Sequence, residues 1–327
     1  MDFAKKWGAE PSPFYPLPPA VPPAPGRTVK RTSPISPRTR PHKPHSTSTS
    51  LYPGSIARPF LKWAGGKRRV LPLLLDKAPR SWNGFHEPFI GGGALFFALA
   101  AQKPRPAGWG HISDQNERLI RTYLSVRDHV EELIGLLKAH AEQHSKDYYY
   151  TVRARDIDRE TDVEVAAWLI YLNRTGFNGL YRVNKKGGFN VPFGRYKNPT
   201  ICDEPNLRAC SAALQGVGIH CEGFDGVLDR AAKRDLVYFD PPYVPASKTS
   251  SFTAYTADGF NLNDQERLRD VARQLKQTGV QVMLSNADVP RVRKLYTPGF
   301  RKHAIEVKRA ISANAKKRGA VGELIIR

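Results

Sequence analysis

The chain has 327 residues, 40% hydrophobic and 25% charged, enough for one large core or for a domain with an insert. Its 51 Lys and Arg against 30 Asp and Glu give a formal charge of +21, which predicts a polyanionic partner, nucleic acid ahead of a membrane surface. No apolar run approaches the ~20 residues that cross a bilayer, nothing near Met1 reads as a signal peptide, and Cys202, Cys210 and Cys221 form no CxxC pair, so a reduced cytoplasmic protein without membrane or structural metal is expected.

Residues 1–55 are rich in Pro, Ser, Thr and basic side chains and show no hydrophobic period, which predicts a disordered arm. Two readings of it stand: a solvated tail, or a basic arm adding phosphate contacts. "FLKWAGGKRRVLP" comes next, with Trp63 and Lys67 around two glycines where a loop enters a helix; it suits either a ligand loop or a basic surface turn. "GFHEPFIGGGALFFALAA" reads as strand, glycine loop and helix, and "GHISDQNERLIRTYLSVRDHVEELIGLLKAH" as a strand ending at Asp114 followed by helical spacing. A helix is predicted over 162–173. The stretch "GLYRVNKKGGFNVPFGRY" has the marks of a β-hairpin turning on Lys-Lys-Gly-Gly. Strand signals return at "LVYFD", "VQVMLSN" and "ELIIR".

Strands alternating with helices on both sides of a helix-and-hairpin stretch predict an α/β fold, a doubly wound Rossmann-like sheet with an inserted module. The expected division is 1–55 arm, 56–120 and 216–327 sheet domain, 121–215 insert.

Three stretches carry chemistry. In "EPFIGGG" the glycines, Gly91 and Gly93 among them, let the backbone approach a ligand beside Glu87, and Asp114 lies where an acid meets ribose hydroxyls. The loop is not GxGxxG, so a nucleoside without pyrophosphate fits better, S-adenosyl-L-methionine being the common one. "LNRTGFNGLYRVN" mixes Arg174, Phe177, Asn178 and Arg182, groups suited to base stacking and groove reading, although a glycine-capped helix end would look the same. "DPPY", Asp240 to Tyr243, arises by chance in roughly one chain in a thousand of this size. Pro241 and Pro242 end the strand and freeze the backbone behind Asp240. An exocyclic aromatic amine is a poor nucleophile because its lone pair is delocalised. A carboxylate and a main-chain carbonyl, each accepting one N–H, draw that nitrogen toward tetrahedral geometry, while Tyr243 offers a face for the base.

From Phe60 to "ELIIR" the chain resembles the Dam family of adenine-specific DNA methyltransferases, through WAGGK, EPFIGGG, SDQN, NRTGFNGLYR, FNVPFG, DPPY and SFTAYT in that order. The resemblance implies cofactor contacts at Trp63, Lys67, Asp114 and Asp240, and an adenine held by Asp240 and Tyr243. It also implies an aromatic wedge at Phe177, and base or backbone contacts at Lys62, Asn178 and Arg182. Phe stands at 177 where the family has Tyr, and Asp225 in "GFDG" is out of register for an adenosine contact. The implied activity is methylation of a flipped adenine in double-stranded DNA, within GATC, by a bacterial or phage monomer with room for a cognate restriction endonuclease. Its rivals are an amino-methyltransferase on cytosine, RNA or a protein amide, and a silent DNA-binding module; the acid at 240 and the intact motifs weigh against both.

Overall fold

The computed structural model describes residues 57–102, 108–243, 260–307 and 321–327, all within one folding unit. The expected arm at 1–55 and the SFTAYT motif lie outside the described residues. Seven strands form one sheet: β1 (Phe85–Glu87), β2 (Gly110–Asp114), β3 (Gly218–Cys221), β4 (Leu236–Phe239), β5 (Gln281–Ala287), β6 (Lys302–Val307) and β7 (Val321–Ile326). Their order is β3-β2-β1-β4-β5-β7-β6. The first five run parallel, and β7 runs antiparallel to both neighbours. β4 is buried at every residue, as a parallel strand covered on both faces must be. The chain steps outward from β1 to β3 and returns at β4, so the crevice past the ends of β1 and β4 is where such a sheet takes a ligand.

The helices are α1 (Leu71–Lys77), α2 (Ala94–Ala100), α3 (Glu117–Asp128), α4 (Val130–Glu142), α5 (Lys146–Arg153), α6 (Asp162–Thr175), α7 (Glu204–Leu214), α8 (Leu262–Gln277) and α9 (Pro290–Leu295). Among the described residues none is long and apolar enough to cross a membrane. A parallel crossover needs little more than one helix. The crossover from β2 to β3 contains α3 to α7, with α6 at its centre. Helix α6 is apolar on nearly every side, so it is sunk among α3, α4 and α5, and a Thr161–Glu164 capping box starts it. Helix α3 packs on α6 and also on β2 and β3, and the expected boundary at 120/121 falls inside it.

The expected hairpin is a turn with isolated bridges. Val183 pairs with Phe189, and Gly176 with Phe193. Asn184 Oδ1 closes the turn by accepting from the Lys186 and Gly188 N–H groups. Longer pairing is interrupted by Pro192, which has no N–H, and by left-handed backbone at Gly179 and Arg195.

Buried Asn173, near the end of α6, fastens this stretch to the loop before α1. Its Oδ1 accepts the Lys62 N–H at 2.8 Å, and its Nδ2 donates to Lys62 O at 2.7 Å and to Gly179 O at 2.9 Å. Gly179 has φ +62, and a Cβ there would sit 2.6 Å from Lys62 Cβ. Asn173→Ala removes all three bonds, strands the buried Gly179 carbonyl and leaves the half-buried Lys62 main chain unpaired, so a loss on the order of 3 kcal/mol is expected in urea unfolding; an unchanged midpoint would show that the clasp contributes nothing.

Candidate active site

Asp240 comes directly after the last residue of β4, and Pro241 and Pro242 cannot continue the ladder. The Asp240 carboxylate meets Lys67 Nζ at 2.7 Å; the lysine is 6% exposed. That ammonium also donates to Gly65 O at 2.9 Å, lies 4.6 Å from the centre of the Tyr243 ring and is 3.8 Å from Glu323 on β7. The Tyr243 hydroxyl donates to the same Glu323 carboxylate. Behind the prolines, Gln265 of α8 donates to Pro242 O at 3.0 Å, and Asn286 of β5 donates to Gln265 Oε1 at 2.9 Å. The DPPY turn is therefore fixed from three elements besides its own strand.

Burial pushes the Asp240 carboxyl up to about 6, with Lys67 opposing the rise and Glu323 adding to it. Glu87, at the end of β1, is raised well above the carboxylate range by burial and then by Asp240; it accepts the Phe96 N–H at 3.0 Å at the start of α2. Lys67 is the one cation among the described side chains paired with Asp240 or Glu323. Such a site favours a ligand that brings positive charge.

The glycine loop lies beside it. Gly91 and Gly93 have φ +45 and +67, and a Cβ at Gly91 would come 2.7 Å from Trp63 Cδ1. Asp114 ends β2 and accepts N–H groups from Gly91 at 3.3 Å and Asn116 at 3.0 Å. Burial raises its carboxyl to about 6 against those hydrogen bonds. Trp63 lies between this loop and Tyr181, on which it stacks at 5.3 Å.

The structure thus brings Trp63, Lys67, Glu87, Gly91, Asp114, Asp240 and Tyr243 to one end of the sheet. Lys62, Phe177 and Asn178 form an exposed neighbouring group. Phe177 is 49% exposed, and Asn178 has φ 55. Lys62 Nζ lies 4.6 Å over the Tyr196 ring. Arg182, also exposed, is engaged with Asn190, and Arg174 reaches inward to Phe60 O at 2.8 Å. Asp225 is half exposed and pairs with Arg267 at 3.2 Å. Glu323, Gln265, Asn286, Tyr181 and Asn173 were not picked out by the sequence. The acid within apolar ELIIR was a usable signal; the amides had none.

Lys67→Met should move the Asp240 carboxyl above about 6, because the group that opposes burial is gone. Carboxylate titration by carbon NMR would measure it, and an unmoved midpoint would show that the ion pair does not govern that ionisation.

With this geometry established, relatives give it a context. Residues 63–311 match the family model described as D12 class N6 adenine-specific DNA methyltransferase. The chain is 46% identical to the Type II methyltransferase M1.LlaDCHI of Lactococcus lactis subsp. cremoris, over 82% of this chain and 94% of that protein. It is 42% identical to the Type II methyltransferase M.MjaIII of Methanocaldococcus jannaschii, over 82% and 98%. A protein of Haemophilus influenzae named DNA adenine methylase is 36% identical over 84% and 95%. A DPPY turn closing β4, a glycine loop closing β1 and an acid closing β2 are thus set in a matching sequence that spans most of the chain, and the protein belongs to the D12 class of N6 adenine-specific DNA methyltransferases.

Proposed function

We propose that the protein takes S-adenosyl-L-methionine as its donor and methylates the 6-amino group of an adenine extruded from double-stranded DNA, within GATC. The observation that carries this reading is the Asp240–Lys67–Tyr243 arrangement at the end of β4. The residues suit the donor: buried Glu87 and half-buried Asp240 and Glu323 around one lysine favour an ammonium and a sulfonium, and Asp114, held against the glycine loop, offers a carboxylate to ribose hydroxyls. Bound there, S-adenosyl-L-methionine supplies a methyl group made electrophilic by its sulfonium.

The rest of the chemistry belongs to the chain. Asp240 accepts one amine N–H and a main-chain carbonyl of the turn accepts the other, so the nitrogen lone pair is freed from the ring. Gln265 and Asn286 hold the turn, and Tyr243 supports the base. A paired adenine has its amino group inside the duplex, so the base must leave the stack, and exposed Phe177 is suited to fill the gap. The crossover between β2 and β3 is the proposed DNA-reading module. Lys62 stands next to both the cofactor loop and this module, and its ammonium suits the acceptors of guanine's major-groove edge; Arg182 suits the outer part of the site.

Asp240→Ala should abolish methyl transfer to duplex DNA while leaving a folded protein; substantial turnover by a folded variant would sink the mechanism. In the unaltered enzyme kcat/KM should fall as pH drops through about 6, since the working form of Asp240 is the carboxylate. Cofactor affinity should weaken in the same range through Asp114. A flat acidic limb in rates and in calorimetric binding would contradict both.

Lys62→Ala should relax the preference for guanine at the first position, a loss of ~1–3 kcal/mol of discrimination. Phe177→Ala should slow reaction at every site. Digestion of plasmid from an expressing strain, with nucleases that differ in sensitivity to methylated GATC, tests the sequence itself. Unchanged cutting of DNA that has nevertheless incorporated methyl groups would mean that another sequence is read.

A further inference from the structure

Most surface arginines of the described chain are matched by acids: Arg118 with Asp158, Arg121 with Asp162, Arg208 with Glu131, Arg293 with Asp288. Exposed cations without an acid partner among the described residues include Arg182, Lys185, Lys186 and Arg195 in the proposed reading module and a second set far from it. At the end of the sheet where the parallel strands begin, opposite Asp240, a cavity of about 500 Å³ is lined by Lys276, Phe300, Arg301, His303 and Arg327. Lys276 lies in the last turn of α8, Arg301 precedes β6 and Arg327 comes after β7. Exposed Lys233 and Arg234 adjoin it across Gly279: the Arg234 N–H bonds Gly279 O, and the Lys233 stem touches the space a Gly279 Cβ would occupy.

None of these five cations has a carboxylate side-chain partner among the described residues. The oxygens against them are main-chain ones, Gly299 O accepting from Lys276 Nζ at 2.8 Å and Arg327 O accepting from the Arg301 N–H. Lys276 lies 4.6 Å over the Phe300 ring. Burial lowers its affinity for a proton, and the like charges of Arg301 and Arg327 lower it further. A cluster of unpaired cations attracts polyanions, and the substrate of this enzyme is one.

We propose that this pole binds the phosphate backbone of a second DNA segment while the catalytic end holds the first. The inference rests on DNA being the substrate. A protein with two phosphate-binding ends can pass from one duplex to another without entering free solution, because the second segment docks before the first leaves. The contacts are electrostatic, so occupancy should follow salt with a slope of about −0.9 per phosphate neutralised.

The test uses the full chain and a duplex of about one and a half helical turns carrying the target. Sedimentation at about 50 mM salt should find two duplexes per chain, and at about 200 mM one. Lys276→Gln/Arg301→Gln/Arg327→Gln should bind one duplex at both, with kcat and KM on that duplex unchanged. Dissociation of labelled duplex, hastened by unlabelled competitor in the unaltered protein, should become independent of competitor. Lys233→Gln/Arg234→Gly serves as a second variant. It removes two charges and relieves the left-handed backbone at Arg234, φ 74, so loss of the fold cannot explain its result. A single duplex on the unaltered protein, or a second duplex retained by both variants, overturns the proposal. Normal methylation alongside either outcome leaves the catalytic reading standing, whereas absent methylation by the unaltered protein would fail that reading instead.

Discussion

A buried ammonium against a half-buried carboxylate ties the end of β4 to the loop before α1. Lys67 is supplied by the loop before α1 and Asp240 by the end of β4, and they meet at 2.7 Å with Glu323 close by. Carboxylates taken out of water favour their protonated form unless a cation stays near. A DPPY turn whose acid were protonated would donate where it needs to accept. The lysine therefore does more than hold two segments: it keeps the acid in the form that the proposed chemistry uses, while its neighbours leave the site short of positive charge.

That lysine depends on its own loop. Phe60–Lys67 is fixed on one side by the clasp of Asn173 on Lys62 and by the Tyr181 stack on Trp63. On the other side Trp63 fits against the glycine loop so closely that Gly91 has no space for a Cβ. The same short segment thus touches the proposed reading module, borders the proposed cofactor loop and carries the lysine that pairs with Asp240. In the proposed function, reading and chemistry would be joined through this one stretch of chain.

Much of this was legible in the sequence, for physical reasons that differ by element. Strand β4 announced itself as an apolar run cut by two prolines, and Asp114 by ending an apolar strand before helical spacing. The hairpin did not form ladders because its turn signals were sound while Pro192, Gly179 and Arg195 break pairing beyond the turn. Arg174 had the composition of a nucleic-acid contact, yet its guanidinium reaches the Phe60 carbonyl, a long-range bond that no local pattern encodes. Gln265 and Asn286 were invisible for the same reason: an amide in a helix and one at a strand end meet only after folding. Glu323 could have been noticed, since an acid within an apolar strand needs a partner.

The central claim is that Lys67 offsets a cluster of buried and half-buried acids, Glu87, Asp240 and Glu323, that would otherwise oppose folding. Urea unfolding of Lys67→Met and of Lys67→Met/Asp240→Asn, at pH 8 and pH 5, tests it most directly. A carboxyl whose folded-state pKa is raised loses stability as pH climbs from its unfolded value, ~4, to its folded one, carries the full cost above that, and carries none only below the unfolded value. Lys67→Met should therefore be strongly destabilised at pH 8 and much less so at pH 5, and Asp240→Asn in the same chain should restore stability at pH 8. Equal losses at both pH values, or a second substitution that merely adds its own loss, would contradict the account.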